Sequence, residues 1–448
     1  GNKDINIPVR YKGDLPVRIG SRTETCIVRE ALDTIVPTWI IDNYHYFGRS
    51  SVYGHNDDTE RFAFFSLAIY EIIRTFELCF DIIHLNDWHT APISMLIREN
   101  EKSFPVLSDI SIIYTIHNLE YQGISSCNIF NLFGIKEVTF KTDKVEYFGC
   151  FNAMKAGISY SDIITSVSKT SAIQMLTRKY GFGLEGILRA RKNVLRGVVN
   201  GINTDIWNSE KDDAIYFKFD RDTLEYKKKN KEMLQNELGL EKCDKPVFCA
   251  ISRLVPNKGL DLLEGAVSAI VNDGGQFVLL GSGDKFYENS FLMLQERYPG
   301  SVSVNLEFNT RKARRIYAGS DILLMPSRYE PCGLTQLIAM RYGTIPLVHK
   351  TGGLADTVID ETRNKGSGNG FSFSKYSLDN FISCIKKAHK YYQNKDEWTN
   401  LMKRAMDYDS SWDVSAKQYI LLYNEAIEKN IERKRKGRKS VIEKKRKN

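Results

Sequence analysis

The chain has no apolar run as long as a membrane span, and its first residues, GNKDINIPVRYKG, do not read as a signal peptide. Neither a spanning helix nor a secretory leader is therefore expected. The start also lacks Met, so the chain reads as a fragment or a processed product. No Cys-x-x-Cys pair occurs among Cys26, Cys79, Cys127, Cys150, Cys243, Cys249, Cys332 and Cys384. That argues against a disulfide frame or a zinc site and suits reduced thiols in a cytosol-like compartment. The expected location is the cytoplasm, or a plastid for a plant or algal source. The seven His show no metal-ligand spacing, and no metal or cofactor is expected. No internal repeat is present, and low complexity is confined to the C-terminal end.

Positive charge is also scarcer than the net +8 suggests. Lys429 to Asn448 holds eleven Lys or Arg against two Glu, so the rest of the chain carries about −1. Nucleic acid is thus an improbable partner for the body of the protein.

What is present is a soluble composition, 42% hydrophobic and 26% charged, over 448 residues, enough for two or three domains. Strand and helix patterns alternate. After short apolar stretches in residues 1–50, including Ile35 to Ile41, a helical period starts at Asp58, with Phe62, Phe65, Ala68, Ile69 and Ile72 on one side. Buried strands are expected at Asp81–Leu85, Ser111–Ile116, Asp162–Val167 and Val194–Val199, with helices at Ala91–Arg98, Asn152–Ser159 and Ser171–Tyr180. A charged helix, Arg221–Leu238, reads as a surface connector. A second run follows: strands Val247–Ile251 and Phe277–Leu280 and one ending near Phe308, then helix Lys312–Gly319. The pattern predicts an α/β protein of two doubly wound, Rossmann-like domains facing a cleft. The expected parts are an N-terminal domain over 1–205, a connector over 206–245 and a C-terminal domain over 246–410. A helix over 411–428 and a disordered basic tail over 429–448 complete them.

The most informative stretch is Asp321 to Val358, DILLMPSRYEPCGLTQLIAMRYGTIPLVHKTGGLADTV. It reads as strand, polar loop, helix and strand, the arrangement in which open α/β sheets bind ligands at strand carboxyl ends. The helix opening at Gly333-Leu334-Thr335 suits a phosphate. Polar residues expected at such ends are Asp87, His117, Asn200, Arg253, Lys258 and Glu330. Alone, each has a plain alternative: His117 as a core or turn histidine, Asn200-Gly201 as a tight turn, Arg253 and Lys258 as solvated cations, Glu330 as a loop charge. GFGLEG and GSGD read equally as turns.

SRYEPCGLTQL followed by KTGGLADTV resembles the signature of bacterial glycogen synthases and plant starch synthases. The resemblance extends over residues 40–425 through YFGRSSVYG, DIIHLNDWHT, YTIHNLEYQG, KAGISYSD, VVNGINTDIW, SRLVPNKGLDLL and GSGD. It implies a retaining glycosyltransferase of GT-B fold that moves glucose from a nucleotide sugar, usually ADP-glucose, to the non-reducing end of an α-1,4-glucan. It further implies that Arg253 and Lys258 hold the leaving diphosphate in place of a metal, that Glu330 steadies the sugar, and that His117 contacts it at the reacting carbon. Asn200 would meet a sugar hydroxyl and Phe308 the base. Thr335 and the amides of Gly333 and Leu334 would serve as donors, while Asp87, Tyr53 and Cys332 would contact substrate.

Three departures stand out. The Lys-x-Gly-Gly-Leu loop and first strand of the family are not in this sequence, which predicts an unpaired strand edge in the first domain. Ile338 stands where many retaining relatives carry a second Glu, which the starch-synthase-like branch also lacks. Glu307 replaces a glycine usual before the base-stacking aromatic. The alternatives are another retaining enzyme of this architecture, such as a sucrose-phosphate or trehalose-type synthase, and a glucan-binding homologue with an impaired site.

Overall fold

The structure, a computed structural model, describes residues 7–447, with side chains as far as Lys436. The chain forms two compact units. One comprises Gly1–Ser166, Ala172–Arg196 and Tyr419–Asn448; the other comprises Val167–Ser171 and Gly197–Gln418.

In the first unit, β1 (Val9–Ile19), β2 (Arg22–Ala31) and β3 (Thr38–Asp42) form an antiparallel sheet. β4 (Ile82–Asn86) and β5 (Ser111–Ile116) belong to a parallel sheet, while β6 (Ile124–Ser126), β7 (Glu146–Tyr147) and β8 (Cys150–Asn152) make a small antiparallel one. β9 (Ile163–Ser166) and β10 (Leu195–Gly197) complete the parallel sheet in the order β10-β9-β5-β4. Every residue of β5 and β9 is buried, which explains their near-continuous apolar sequences. Two of the polar exceptions, Thr115 and Thr165, are bonded: His84 Nε2 of β4 lies 2.6 Å from Thr115 Oγ1, which lies 2.5 Å from Thr165 Oγ1, and His84 Nδ1 meets Tyr423 OH at 3.1 Å. Burial pushes His84 down to about 4, so this imidazole is neutral at ordinary pH.

Among the described residues β3 and β4 both end their sheets. An apolar groove of about 460 Å³, lined by Trp39, Ile41, Phe65, Ile72 and Ile83, adjoins them.

The second unit has one parallel sheet of β11 (Val247–Ile251), β12 (Gln276–Leu280), β13 (Val302–Asn305), β14 (Ile322–Met325), β15 (Ile345–His349) and β16 (Phe371–Phe373). Their order, β13-β12-β11-β14-β15-β16, is that of a doubly wound Rossmann sheet, with the reversal between β11 and β14. Helices Leu378–Gln393 and Lys395–Met406, not resolved as separate elements in the sequence reading, bury Phe381, Ile385, Trp398 and Leu401 in its core.

Several expectations need correction. The presumed connector helix, Glu225–Glu237, is built into the second unit. Its charged sequence hides bonded polar groups: Lys231 Nζ contacts Asp321 at 2.7 Å and Tyr392 OH at 2.9 Å, and Lys227 Nζ donates to the carbonyls of Tyr317 and Ala318 and to Thr344 Oγ1. Lys227 thereby donates to the C-terminal carbonyls of helix Thr310–Gly319, which have no partner within that helix. The helix expected over Ser171–Tyr180 is Lys169–Gln174, and the strand expected to end near Phe308 stops at Asn305, with Phe308 in the following loop.

The basic tail is also not irregular. One helix runs from Trp412 to Lys447. Asn430, 2% exposed, donates to the carbonyls of Ser108, Asp109 and Ile110, and Arg433 pairs with Glu101 at 2.9 Å. Composition alone missed these partners because they lie more than 300 residues upstream. No helix among the described residues is long and apolar enough to cross a membrane, and all eight cysteines are free thiols.

Two outcomes are expected. Asn430→Ala strands three carbonyls and lowers stability by about 1–3 kcal/mol, read by urea denaturation. Lys227 is pushed down to about 7, chiefly by burial, with Lys231 adding to the shift and Asp321 opposing it. Between there and its ordinary 10.5 the unfolded chain holds a proton that the folded one lacks, so stability rises with pH over that window. Lys227→Met should flatten this rise, and an unchanged slope would refute it.

Candidate functional site

The second unit gathers its candidate residues where the strand order reverses. A cavity of about 180 Å³ is lined by Arg253, Lys258, Ser327 and Thr335, with Ile251, Leu324 and Met325 beneath. Arg253 follows β11 by two residues and is exposed, and its side chain has no hydrogen bond or ion pair among the described residues. Its guanidinium is thus free to meet an anion bidentately. Lys258 sits in the short 3-10 turn Pro256–Lys258. Its ammonium contacts Glu330 Oε2 at 2.6 Å, and Ser327 Oγ donates to the same oxygen at 3.2 Å. Glu330 is 8% exposed, so this carboxylate sits in a largely dry place where its two partners offset the loss of water.

Close backbone contact holds these loops. A Cβ on Gly353 would lie 2.0 Å from the Cys332 carbonyl, and one on Gly352 (φ +45°) would lie 1.9 Å from that of Glu330. Gly353 N donates to Glu330 O at 3.0 Å, and His349 Nδ1 meets Ser327 O at 2.7 Å. The TGGL segment is therefore a brace under the Glu330 loop. Gly259 (φ +72°) plays the same part under Lys258, against the Pro326 carbonyl. GSGD proves structural: Gly281 and Gly283 press on Ser252 and Leu254, and Asp284 caps the next helix through Phe286 N at 2.9 Å.

Helix Thr335–Arg341 begins without a side-chain cap, with Leu334 half exposed and Gly333 left-handed at φ +73°. Cys332 is buried, and burial pushes its thiol up to about 12 despite a hydrogen bond from the Asn200 backbone, so it is an inert packing group. Asn200 Oδ1 is buried with no hydrogen-bond partner among the described residues. Asn200 lines a separate cavity of about 230 Å³ with Asp356 and Tyr408. Phe308, 95% exposed, stands outside both.

The first unit holds Asp87, His117 and Tyr53. Asp87 and His117 immediately follow the neighbouring strands β4 and β5. Asp87 Oδ1 accepts His117 N at 2.9 Å, and Asn86 Oδ1 lies 2.9 Å from His117 Nε2. Asp87 itself is left-handed at φ +57°, strain that the His117 amide helps hold. Tyr53 lies 5.4 Å, ring to ring, from His89, in a cluster with Phe62 and Trp88. The Tyr53 loop is pinned by Asp58, which accepts Gly54 N at 2.8 Å, and by Arg61, which donates to the Tyr46 and Val52 carbonyls.

Residue reading passed over Ser327, on the carboxylate, and gave His89 only a packing role beside Trp88, yet its Nε2 is buried without a hydrogen-bond partner among the described residues. SRYEP carries a signal for the first, a hydroxyl three residues before the acid; DWH gives none for the second. No group of three or more His, Cys, Asp or Glu among the described residues is placed to hold a metal.

The starch synthase catalytic domain family matches residues 3–190, and glycosyl transferases group 1 matches residues 233–404. Glycogen synthase of Desulforudis audaxviator is 41% identical over 429 residues, covering 94% of this chain and 86% of that protein. Glycogen synthase of Fervidobacterium nodosum is 44% identical over 394 residues, 88% of this chain and 81% of that one. The solved catalytic domain of starch synthase IV from Arabidopsis thaliana, bound to ADP and acarbose, superposes with a TM-score of 0.87 at 32% identity, over 94% of this chain and 89% of that one. Sucrose-phosphate synthase from Thermosynechococcus elongatus shares the fold, at 17% identity and a TM-score of 0.54 over 85% of this chain and 82% of that one.

The brace predicts a specific sensitivity. Gly353→Ala must displace the Cys332 carbonyl and with it the Glu330 loop, lowering stability by about 1–3 kcal/mol. Denaturation measures this; a neutral substitution would show that the loop yields freely.

Proposed function

The chain belongs to the glycogen synthase and starch synthase family of retaining glycosyltransferases, and we propose that it extends an α-1,4-glucan from ADP-glucose with the residues assembled above. The observation that carries the assignment of roles is the cavity joining Arg253, Lys258 and Thr335 at the β11/β14 reversal, with Glu330 bonded to Lys258. ADP and acarbose in the plant relative support an adenine nucleotide and a glucan-like ligand for this chain.

As the bond between glucose C1 and the diphosphate breaks, its electron pair moves onto the phosphate and positive charge grows on the sugar. Arg253 and Lys258 are suited to the first charge and Glu330 to the second. Fixed charges in a water-poor site act strongly because they need no reorganisation. A diphosphate reaching Lys258 also comes within reach of the acid that Lys258 already holds. Thr335 and the Gly333 and Leu334 amides add donors, and Phe308, exposed beyond β13, offers a face for the base. His117 and Asp87, with Tyr53, form the share of the first unit, His117 meeting the sugar. Asn200 supplies an unpaired acceptor for a hydroxyl, and Cys332 shapes the loop. The first unit takes the acceptor and the second the nucleotide.

One observation favours a second reading, a glucan binder with weak transfer: the apolar groove beside β4, the strand that leads into Asp87. An open edge there loosens the mount of Asp87 and His117, and misplacement by about 1 Å is enough for on the order of a hundredfold in rate.

Maltooligosaccharide elongation with ADP-glucose decides between the readings. Arg253→Ala and Lys258→Ala should each reduce transfer by about 10²–10³-fold. Near-parental rates in both would remove the phosphate role. Glu330→Gln should lower kcat more than donor affinity; an effect confined to donor KM would make it a ground-state ligand. No transfer by the parent chain, together with retained glucan binding, selects the second reading.

A further inference from the structure

The hairpin of β7 and β8 presents an aromatic corner that the reaction does not use. Tyr147 pairs with Cys150, leaving Phe148-Gly149 as a two-residue turn. Their φ values, +50° and +79°, are those of a type I′ turn, whose first position usually takes Asn, Asp or Gly. Phenylalanine there is a strained choice, and Phe148 is 87% exposed, so no packing in the fold offsets it. Its ring stands edge-on to Tyr147, with centroids 4.8 Å apart at 81°.

A second strained turn backs the first. Phe182 is left-handed at φ +48°, and a Cβ on the following Gly183 would sit 2.0 Å from Tyr147 OH. Tyr147 OH donates to the Phe182 carbonyl at 3.3 Å, clamping the two turns together. Tyr147, Phe148 and Gly183 line a cavity of about 700 Å³, within the range of ligand pockets, with Glu146, Lys155 and Arg191 among its polar residues. Lys155 Nζ donates to the Glu146 carbonyl at 2.5 Å, Arg191 to the Ser159 carbonyl at 3.2 Å, and Gly149 N donates to Glu146 Oε1 at 2.6 Å. Charges of both signs lie side by side here, which disfavours a strongly charged ligand of either sign. A neutral ring with an apolar C–H face and hydroxyls at its edge matches the aromatic corner and the mixed polar wall.

We propose that this corner is a second, non-catalytic subsite for an α-glucan chain, which holds polymer while its end is extended elsewhere. The identity of the ligand rests on the proposed glucan acceptor. The strain then has a reason: the left-handed turn presents the exposed Phe148 ring beside the cavity.

The test compares Phe148→Asn and Phe148→Ala with the parent by retardation in native gels containing glycogen, thermal unfolding, and kinetics on glycogen and on maltotriose. Asn suits the turn better than Phe, so Phe148→Asn should keep or raise Tm while glycogen affinity falls roughly fivefold. KM for glycogen should rise with it, and KM for maltotriose and ADP-glucose should not move. Unchanged retardation in both variants, or retardation lost only together with a fall in Tm, would overturn the subsite. Weaker retardation of the variants in a chain that transfers no glucose would uphold it while the proposed reaction fails. A parent that transfers glucose but is not retarded by glycogen would do the reverse.

Discussion

The bond between Lys258 and Glu330, 2.6 Å long, ties the loop after β11 to the loop after β14. These are the two strands between which the sheet reverses its order, so their carboxyl ends diverge and leave room for a ligand. A largely buried ion pair adds little net stability, because both ions lose water to make it. Its worth here is positional. It fixes an ammonium and a carboxylate at one point, ready for opposite charges. The glycines at 259, 352 and 353 are consequences of that placement, since each lets a neighbouring backbone come close enough to hold the pair.

The first unit repeats the device with different chemistry. Asp87 follows β4 and binds the amide of His117, which follows β5. Again a carboxylate after one strand is bound to a group after the next. Here the donor is a backbone N–H, so the carboxylate is oriented without using the imidazole, whose Nε2 meets Asn86 Oδ1 instead. The left-handed φ of Asp87 shows that its place is held against local preference, as at many sites that pre-organise a charge.

Strand periodicity made the sheets legible. β5 and β15 are runs of apolar residues with no competing pattern, and both fall where the sequence puts them. Polar residues at strand ends pointed to Asp87 and His117 for the same reason. The two errors at the largest scale share a cause. Lys227, Lys231 and Asn430 are polar residues that read as solvent-facing, and each is buried against partners distant in sequence. Amphipathic period cannot distinguish a solvated lysine from one that caps a remote helix. Nor could spacing show that Lys258 and Glu330, 72 residues apart, are bonded to each other.

Exposure alone is weak evidence of purpose, since single apolar side chains on a surface are ordinary. Phe308 and Phe148 are both almost wholly exposed, yet they differ in what the backbone does for them. Phe308 precedes Asn309, whose side chain caps the next helix by accepting Lys312 N, and its own φ is unexceptional. Its case therefore depends on the site beside it. Phe148 occupies a left-handed position that Asn or Gly would fill more stably, so the fold would gain by replacing it. A residue that the fold disfavours and that no packing repays must answer to something outside the fold, and the cavity at its side indicates what kind of molecule that is.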